Sequence, residues 1–343
     1  MSFLKDPFTV VRMSAEEFQF QSTASLKALR QRSQLLREIR AFFEDRDFLH
    51  VETPLVSRDT VVDRHIEPVR ISAAEVIDGG SPSDRLFLQT SPEFAMKRLL
   101  ASGATAIYQI CKAFRKGESG RFHNPEFTML EWYRVGDDYA AGIGLLAQFA
   151  KHVFAVENVD TMTYREAFIK LADVDPFSAS ITDLKTVCQS RQIDTSSFAQ
   201  DVDRDSWLNL IMSEVVEPSL GASDPVIVSD WPASQAALAK VRTDDQGQQV
   251  AERFELFYRG VELANGYHEL LDPLELEARN QNVNRQRVVD GHQPLPQHSK
   301  LLQAMQHGLP ACSGVAVGID RLLMVLLGAD SIDDVIAFPF GRA

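Results

Sequence analysis

The chain has 343 residues, 45% of them apolar and 24% charged, and its 48 Asp and Glu outnumber 35 Lys and Arg for a net charge of −13. That composition excludes a disordered chain and allows one large domain or two modest ones, either with a sizeable core. The acidic balance makes nucleic acid a poor default partner, because such binding rests on many phosphate contacts from Lys and Arg.

Residues Met1 to about Ser22 read as irregular. Leu29, Leu35, Leu36, Ile39, Phe42 and Phe43 then recur at helical spacing, opposite Arg30, Arg37 and Arg40, which predicts an amphipathic helix. Phe48 to Pro54 alternates and ends in proline, as an edge strand does. Ser91-Pro-Glu93 supplies an N-cap, a proline at N1 and an acid at N2 for a helix through Phe94 to Leu100. Ile107 to Arg115 and Phe127 to Tyr133 read as two strands of a long-looped antiparallel hairpin. The stretch Tyr139 to Ser223 reads as helices with polar connections and no chemistry. Strand signals return at Val226 to Val228 and Arg253 to Ala264, and Gly314 to Gly318 runs into an apolar helix, Leu322 to Leu327. The longest apolar run, Leu322 to Ala329, is under half of a membrane span of about 20 residues, and the opening decapeptide has no signal-peptide core. A cytoplasmic protein without a membrane anchor is expected. Interleaved strands and helices with hairpin links predict an α+β fold, an antiparallel sheet flanked by helices, in one domain from residue 25 to 343 after an irregular segment 1–24.

Neither of the common glycine-rich nucleotide loops occurs, and Cys111, Cys188 and Cys312 lack the spacing of a zinc site or a disulfide framework. Three constellations remain. If Phe127 to Tyr133 is a strand, period-two alternation puts Phe127, Met129, Glu131 and Tyr133 on one face, and Arg115 ends the partner strand where a guanidinium could grip a phosphate. The same pattern describes a half-exposed sheet with surface charges. A two-residue turn near Arg259 and Gly260 would point Glu255 and Glu262 the same way, as carboxylates suited to Mg²⁺ or as a solvated acidic face. In Gly314-Val-Ala316-Val-Gly318-Ile-Asp320-Arg321 a cation sits near a helix N-terminus, where the macrodipole disfavours it unless an anion binds. The alternative is Asp320 capping the helix with Arg321 in solvent.

Together these segments resemble the motifs of class II aminoacyl-tRNA synthetases, with lysyl-tRNA synthetase the nearest member. Val51-Glu-Thr-Pro54 resembles motif 1, Phe114-Arg115 through Arg121-Phe-His-Asn-Pro-Glu-Phe127 to Glu131 resembles motif 2, and Gly314 to Arg321 resembles motif 3. The resemblance implies ATP bound with its adenine on Phe127, Arg115 at the α-phosphate, Arg321 at the γ-phosphate, and Glu255 with Glu262 holding Mg²⁺. It adds Asn124, Leu263 and Gly318 to the nucleotide site, and Glu118 by a one-residue loop shift, since Arg115-Lys-Gly117 stands where the family has Arg-x-Glu. For a lysine-like substrate it implies Glu93 and Glu131 as amine or orientation partners, and Tyr133 and Glu269 near the distal ammonium with Asn265 and Tyr267 alongside. Motif 1 begins by residue 48, so no anticodon-binding domain is expected. Ser91-Pro92-Glu93 replaces Ala-Pro-Glu, Ala316 replaces the middle glycine of motif 3, and Pro232 to Ala239 departs from the synthetase pattern. These departures are similar to the family's short branch that ligates (R)-β-lysine to translation elongation factor P. The resemblance thus implies β-lysine and elongation factor P as partners, a homodimer built through motif 1, and no stable tRNA binding.

Overall fold

The computed structural model describes residues 20–196, 198 and 202–343. Most of the irregular segment expected at 1–24 therefore lies outside the described residues. Helix α1 (Leu26–Glu44) starts where the Ser25 hydroxyl accepts the Ala28 N–H, and it buries Leu35, Ile39, Phe42 and Phe43 as their spacing predicts. Strand β1 (Leu49–His50) follows. Strands β2 (Val56–Ser57), β3 (Arg70–Ser72) and β4 (Arg85–Leu88) make a separate antiparallel sheet in the order β2-β4-β3. Next come α2 (Glu93–Ala101) and the long pair β5 (Ala106–Phe114) and β6 (Glu126–Val135), antiparallel over nine residue pairs.

The middle of the chain forms α3 (Tyr139–Phe154), β7 (Asp160–Thr163), α4 (Tyr164–Ala172), α5 (Ile181–Ser190) and α6 (Arg204–Ile211). After it come β8 (Val226–Pro232), β9 (Val241–Thr243), β10 (Gln249–Tyr258), β11 (Val261–His268), α7 (Pro273–Val289), α8 (Lys300–Gly308), β12 (Cys312–Gly318) and α9 (Ile319–Leu327). The main sheet runs β1-β5-β6-β12-β11-β10-β8-β7, with β9 on β10. Its two end pairings, β1 with β5 and β7 with β8, are parallel, so the sheet is mixed rather than purely antiparallel. The middle region is thus more than packing: β7 extends the sheet, and α4 and α6 bury Tyr164, Phe168 and Trp207 with Phe257 and Trp231. Among the described residues no helix is long and apolar enough to cross a membrane.

One face of the sheet is sealed. Leu130 and Trp132 of β6, Val315 and Val317 of β12, and Phe254 and Leu256 of β10 pack with Phe43 of α1, Phe149 of α3 and Leu323 of α9. Alternation sends Phe127, Met129, Glu131 and Tyr133 to the other face, which is open at its centre. The β10–β11 hairpin turns through Arg259 and Gly260, with φ of 53° and 70°, the two-residue left-handed turn that matches strand twist. Phe257 pairs with Glu262 but Leu256 pairs with Ala264, so Leu263 is an extra residue in a β-bulge. The bulge reverses the parity of β11 and puts Asn265 and Tyr267 on the same face as Glu262.

Candidate active site

The open face holds a cavity of about 610 Å³ floored by β6, β12 and β11 and walled by the loop 61–66, α2 and α7. Ser91, Glu93, Arg115, Glu118, Asn124 and Phe127 line it, as do Glu131, Tyr133, Glu262, Leu263, Asn265 and Tyr267, together with Glu269, Ala316, Gly318 and Arg321. The expected residues thus converge, with two exceptions. Pro92 does not line the cavity, because it occupies the N-cap of α2 and faces a neighbouring depression. Glu255 points to the same face, opposite Asn265, but is buried with its carboxylate on Arg253 and so does not line the cavity.

Two arginines mark one end. The Arg115 guanidinium lies over the Phe127 ring, 5.0 Å from its centroid, and 3.7 Å from Glu118. Arg321 donates to the Glu262 carbonyl at 3.2 Å, to its carboxylate at 3.3 Å, to the Phe122 carbonyl at 3.2 Å and to His123 Nε2 at 2.6 Å. That last bond needs an unprotonated Nε2, and burial together with the neighbouring Arg321 lowers the His123 pKa. Asp320 does not cap its own helix. Its oxygens accept from Arg32 and from the Thr128 N–H, each at 2.6 Å, tying α9 to α1 and β6, while Arg321 faces the cavity and not open solvent. Asn124 is committed to structure: its amide donates to the Glu126 carbonyl at 2.6 Å and accepts the Phe340 N–H at 2.9 Å. A Cβ at Gly318 would meet nothing nearer than the Arg321 stem at 3.9 Å, so the protein's own packing does not require glycine there.

Beside the arginines sits an acidic group. Glu255 accepts from Arg253, which also stacks over Trp231 at 4.4 Å. Glu217 accepts the Glu262 N–H at 3.3 Å, and burial with the facing Glu262 pushes its pKa up to about 7. Burial raises Glu255 too, against Arg253, and Glu262 and Glu217 add to the rise. These are oxygen donors with an excess of negative charge, the donor chemistry of Mg²⁺, and Glu262 and Glu255 fit that ion.

The other end is enclosed and carboxylate-rich. Ser91 donates to Glu131 Oε1, Tyr133 donates to Glu131 Oε2 at 2.9 Å, and the Ser91 hydroxyl accepts the Glu93 N–H at 3.0 Å. The helix therefore starts one residue later than its spacing predicts, with Pro92 at the N-cap and Glu93 at N1. Ser91 precedes the cap, and its hydroxyl accepts the Glu93 N–H and reaches Glu131 as well. Burial and Glu93 push Glu131 up to about 8. Ala316 pairs with Glu131 on one side and Asn265 on the other, so its methyl stands on the floor between them. The buried Asn265 Oδ1 has no hydrogen-bond partner among the described residues. Gly314, between Tyr133 and Tyr267, is a steric requirement: a Cβ there would lie 2.2 Å from the Tyr133 ring and 2.7 Å from Glu269 Oε1.

Five residues escaped the sequence reading. Lys97 is fully buried, with Nζ 2.5 Å from both Glu93 and Glu269. Its signal was available, since Glu93, Met96, Lys97 and Leu100 form one buried stripe of α2 and a lysine on such a stripe needs partners. His123, Glu217 and Arg32 had no comparable local signal, because their partners lie far along the chain. Arg253 had one, since it shares a strand face with its partner Glu255 two residues on.

The family model of class II tRNA synthetases (D, K and N) matches residues 10–342. The elongation factor P–(R)-β-lysine ligase of Edwardsiella ictaluri is 46% identical over 327 residues, 94% of this chain and 98% of that protein. Its namesake in Vibrio cholerae serotype O1 is 47% identical over 324 residues, covering 94% and 98%. That of Salmonella typhi is 43% identical over 330 residues, covering 96% and 100%.

Proposed function

This chain belongs to the class II tRNA synthetase family, and from that premise we propose that it activates (R)-β-lysine with ATP and ligates it to a lysine side chain of elongation factor P. The observation that carries the reading is one cavity with arginines at one end and three carboxylates, Glu93, Glu131 and Glu269, at the other. A diamino acid with a single carboxylate and a nucleoside triphosphate have complementary charges to those two ends. The relatives bear the same activity in their names.

In the first step a substrate carboxylate oxygen attacks the α-phosphorus of ATP, an O–P bond forms, and the bond to pyrophosphate breaks. In this reading Arg115, stacked on Phe127, takes the α-phosphate, the adenine lies on the same ring, and Arg321 takes the γ-phosphate. Fixed guanidinium charges favour the transition state as negative charge moves to the leaving oxygen. Mg²⁺, held by Glu262 and Glu255, would supply further charge stabilisation on the phosphate oxygens. Glu93, Glu131 and Glu269 hold the substrate's ammonium groups, and Ser91 and Tyr133 fix the orientation of Glu131. In the second step the acceptor's neutral amine attacks the mixed-anhydride carbonyl, an amide forms, AMP leaves, and the amine's proton passes to solvent. No protein base is needed if the amine arrives deprotonated, since the adenylate is itself the activated species. We place the enzyme in the cytoplasm, as a homodimer, with tRNA neither a stable ligand nor an acceptor.

Intact mass of elongation factor P after incubation with enzyme, ATP and β-lysine tests the reading, with a lysine tRNA charged in parallel. The expected result is an ATP-dependent gain of one lysyl unit on the protein. Charging of tRNA with no change in the protein's mass would overturn it.

A further inference from the structure

Lys97 is the buried charge that the two reaction steps leave without a task. Its Nζ lies 2.5 Å from Glu93 Oε1 and 2.5 Å from Glu269 Oε2, and 5.8 Å from the centroid of the Tyr133 ring. Each of these carboxylates keeps its second oxygen free of any hydrogen bond from the described residues, whereas both oxygens of Glu131 already accept from neutral hydroxyls. The groups facing Lys97 are Glu93 on its own helix, Glu131 and Tyr133 on β6, Glu269 beyond β11, and the Cys312 thiol on β12. Burial alone would discharge the ammonium, but Glu269 and Glu93 hold its pKa above the ordinary lysine range.

We infer that Lys97 is a positioning and specificity-determining residue, a built-in ammonium that holds Glu93 and Glu269 together and fixes the charge of the amino-acid pocket. Three carboxylates and one lysine leave two negative charges once Glu131, which burial and Glu93 push up to about 8, is ionised with the others. A substrate with two ammonium groups cancels both, and a substrate with one does not. Without Lys97, Glu93 and Glu269 face each other as buried like charges and share a proton at low pH. That proton stands in for the ammonium until rising pH removes it, and the two carboxylates then repel.

The test is Lys97→Met, similar in bulk and neutral, read by amino-acid-dependent exchange of pyrophosphate into ATP at pH 6.5 and pH 8.5. The inference rests on the proposed activation of a diamino acid, which the unaltered enzyme checks first. No exchange there overturns the function, whereas the variant alone bears on Lys97. The KM for β-lysine is expected to rise about tenfold or more at pH 8.5, and less at pH 6.5, with the KM for ATP held within about twofold. An unchanged β-lysine KM at both pH values, or equal rises in both KM values, would overturn the inference. If Lys97→Met does not fold, Lys97→Ala is assayed with propylammonium and with propanol as its neutral counterpart. Recovery by the amine alone supports a charge role; recovery by both or by neither refutes it.

Discussion

Gly314→Ala probes the amino-acid end of the cavity through one methyl group. The added Cβ would fall 2.2 Å and 2.3 Å from the Cε1 and Cδ1 atoms of Tyr133 and 2.7 Å from Glu269 Oε1. The strand has little room to retreat, since β12 is hydrogen-bonded to β6 on one side and β11 on the other. The Tyr133 ring is held too: it is 4% exposed, and its hydroxyl is bonded to Glu131. Overpacking of this kind costs about 1–3 kcal/mol, and at roughly 2 °C per kcal/mol for a chain this long the melting temperature should fall by about 2–6 °C. Moving Tyr133 also turns Glu131, and misplacing a group by about 1 Å can cost ~10²-fold in rate. Steady-state pyrophosphate exchange should therefore show kcat/KM for β-lysine reduced by about a hundredfold, with KM for ATP little altered because Gly314 lies away from the arginines. Adding Tyr133→Leu should return most of the melting temperature but not the activity, since the hydroxyl to Glu131 is then missing. A single variant with unaltered melting and unaltered kcat/KM would refute the account of how Tyr133 and Glu269 are held.

Arg115→Ala and Arg321→Ala should each slow pyrophosphate exchange by about a hundredfold or more; wild-type rates in both would remove the phosphate assignment. Glu262→Gln should raise the Mg²⁺ concentration needed for half-maximal exchange without lowering stability. Glu255→Gln should raise it too and also lower the melting temperature, because Arg253 would lose its buried carboxylate. An unchanged Mg²⁺ titration in both variants would make the acids purely structural. Ala316→Gly should raise kcat/KM for α-lysine relative to β-lysine, since the methyl stands between Glu131 and Asn265 on the floor, and one methyl is worth about 1–3 kcal/mol of discrimination. A ratio identical to wild type would show that Ala316 does not set the preference.

The parts of this site that local spacing encodes were legible in the sequence. Phe127, Met129, Glu131 and Tyr133 share a face because nothing interrupts the period of two along β6. Glu255 and Glu262 follow from the two-residue turn, because no bulge intervenes between Phe257 and Glu262. Counting onward from Glu262 fails: alternation alone sends Asn265 and Tyr267 to the core face, and only the extra residue Leu263 brings them to the cavity. A bulge is a property of the pairing of two strands, and no residue of β11 announces it by type. The parallel end pairing through β7 is similarly silent, since four residues reading Asp-Thr-Met-Thr carry little apolar pattern.

Helix α7 shows why the remaining walls were hidden. Its buried side is Leu276, Asn280, Asn284 and Arg287, a helical stripe that is mostly polar and so gives no amphipathic signal. Each polar member that stays inside needs a partner. Arg287 donates to the Asp63 and Ile66 carbonyls and to Glu67, more than two hundred residues earlier, and so pins the loop 61–66 that walls the cavity. Asn284 holds the Leu295 backbone through both of its amide atoms. Lys97 and Arg253 obey the same rule, one between Glu93 and Glu269 and the other on Glu255 and the Gln235 carbonyl. Desolvating a charge is costly unless a partner is fixed nearby, so these side chains tie distant segments into one geometry. A reading that finds the interior by its apolar residues must miss them, and they are the residues that bring the cavity's walls together.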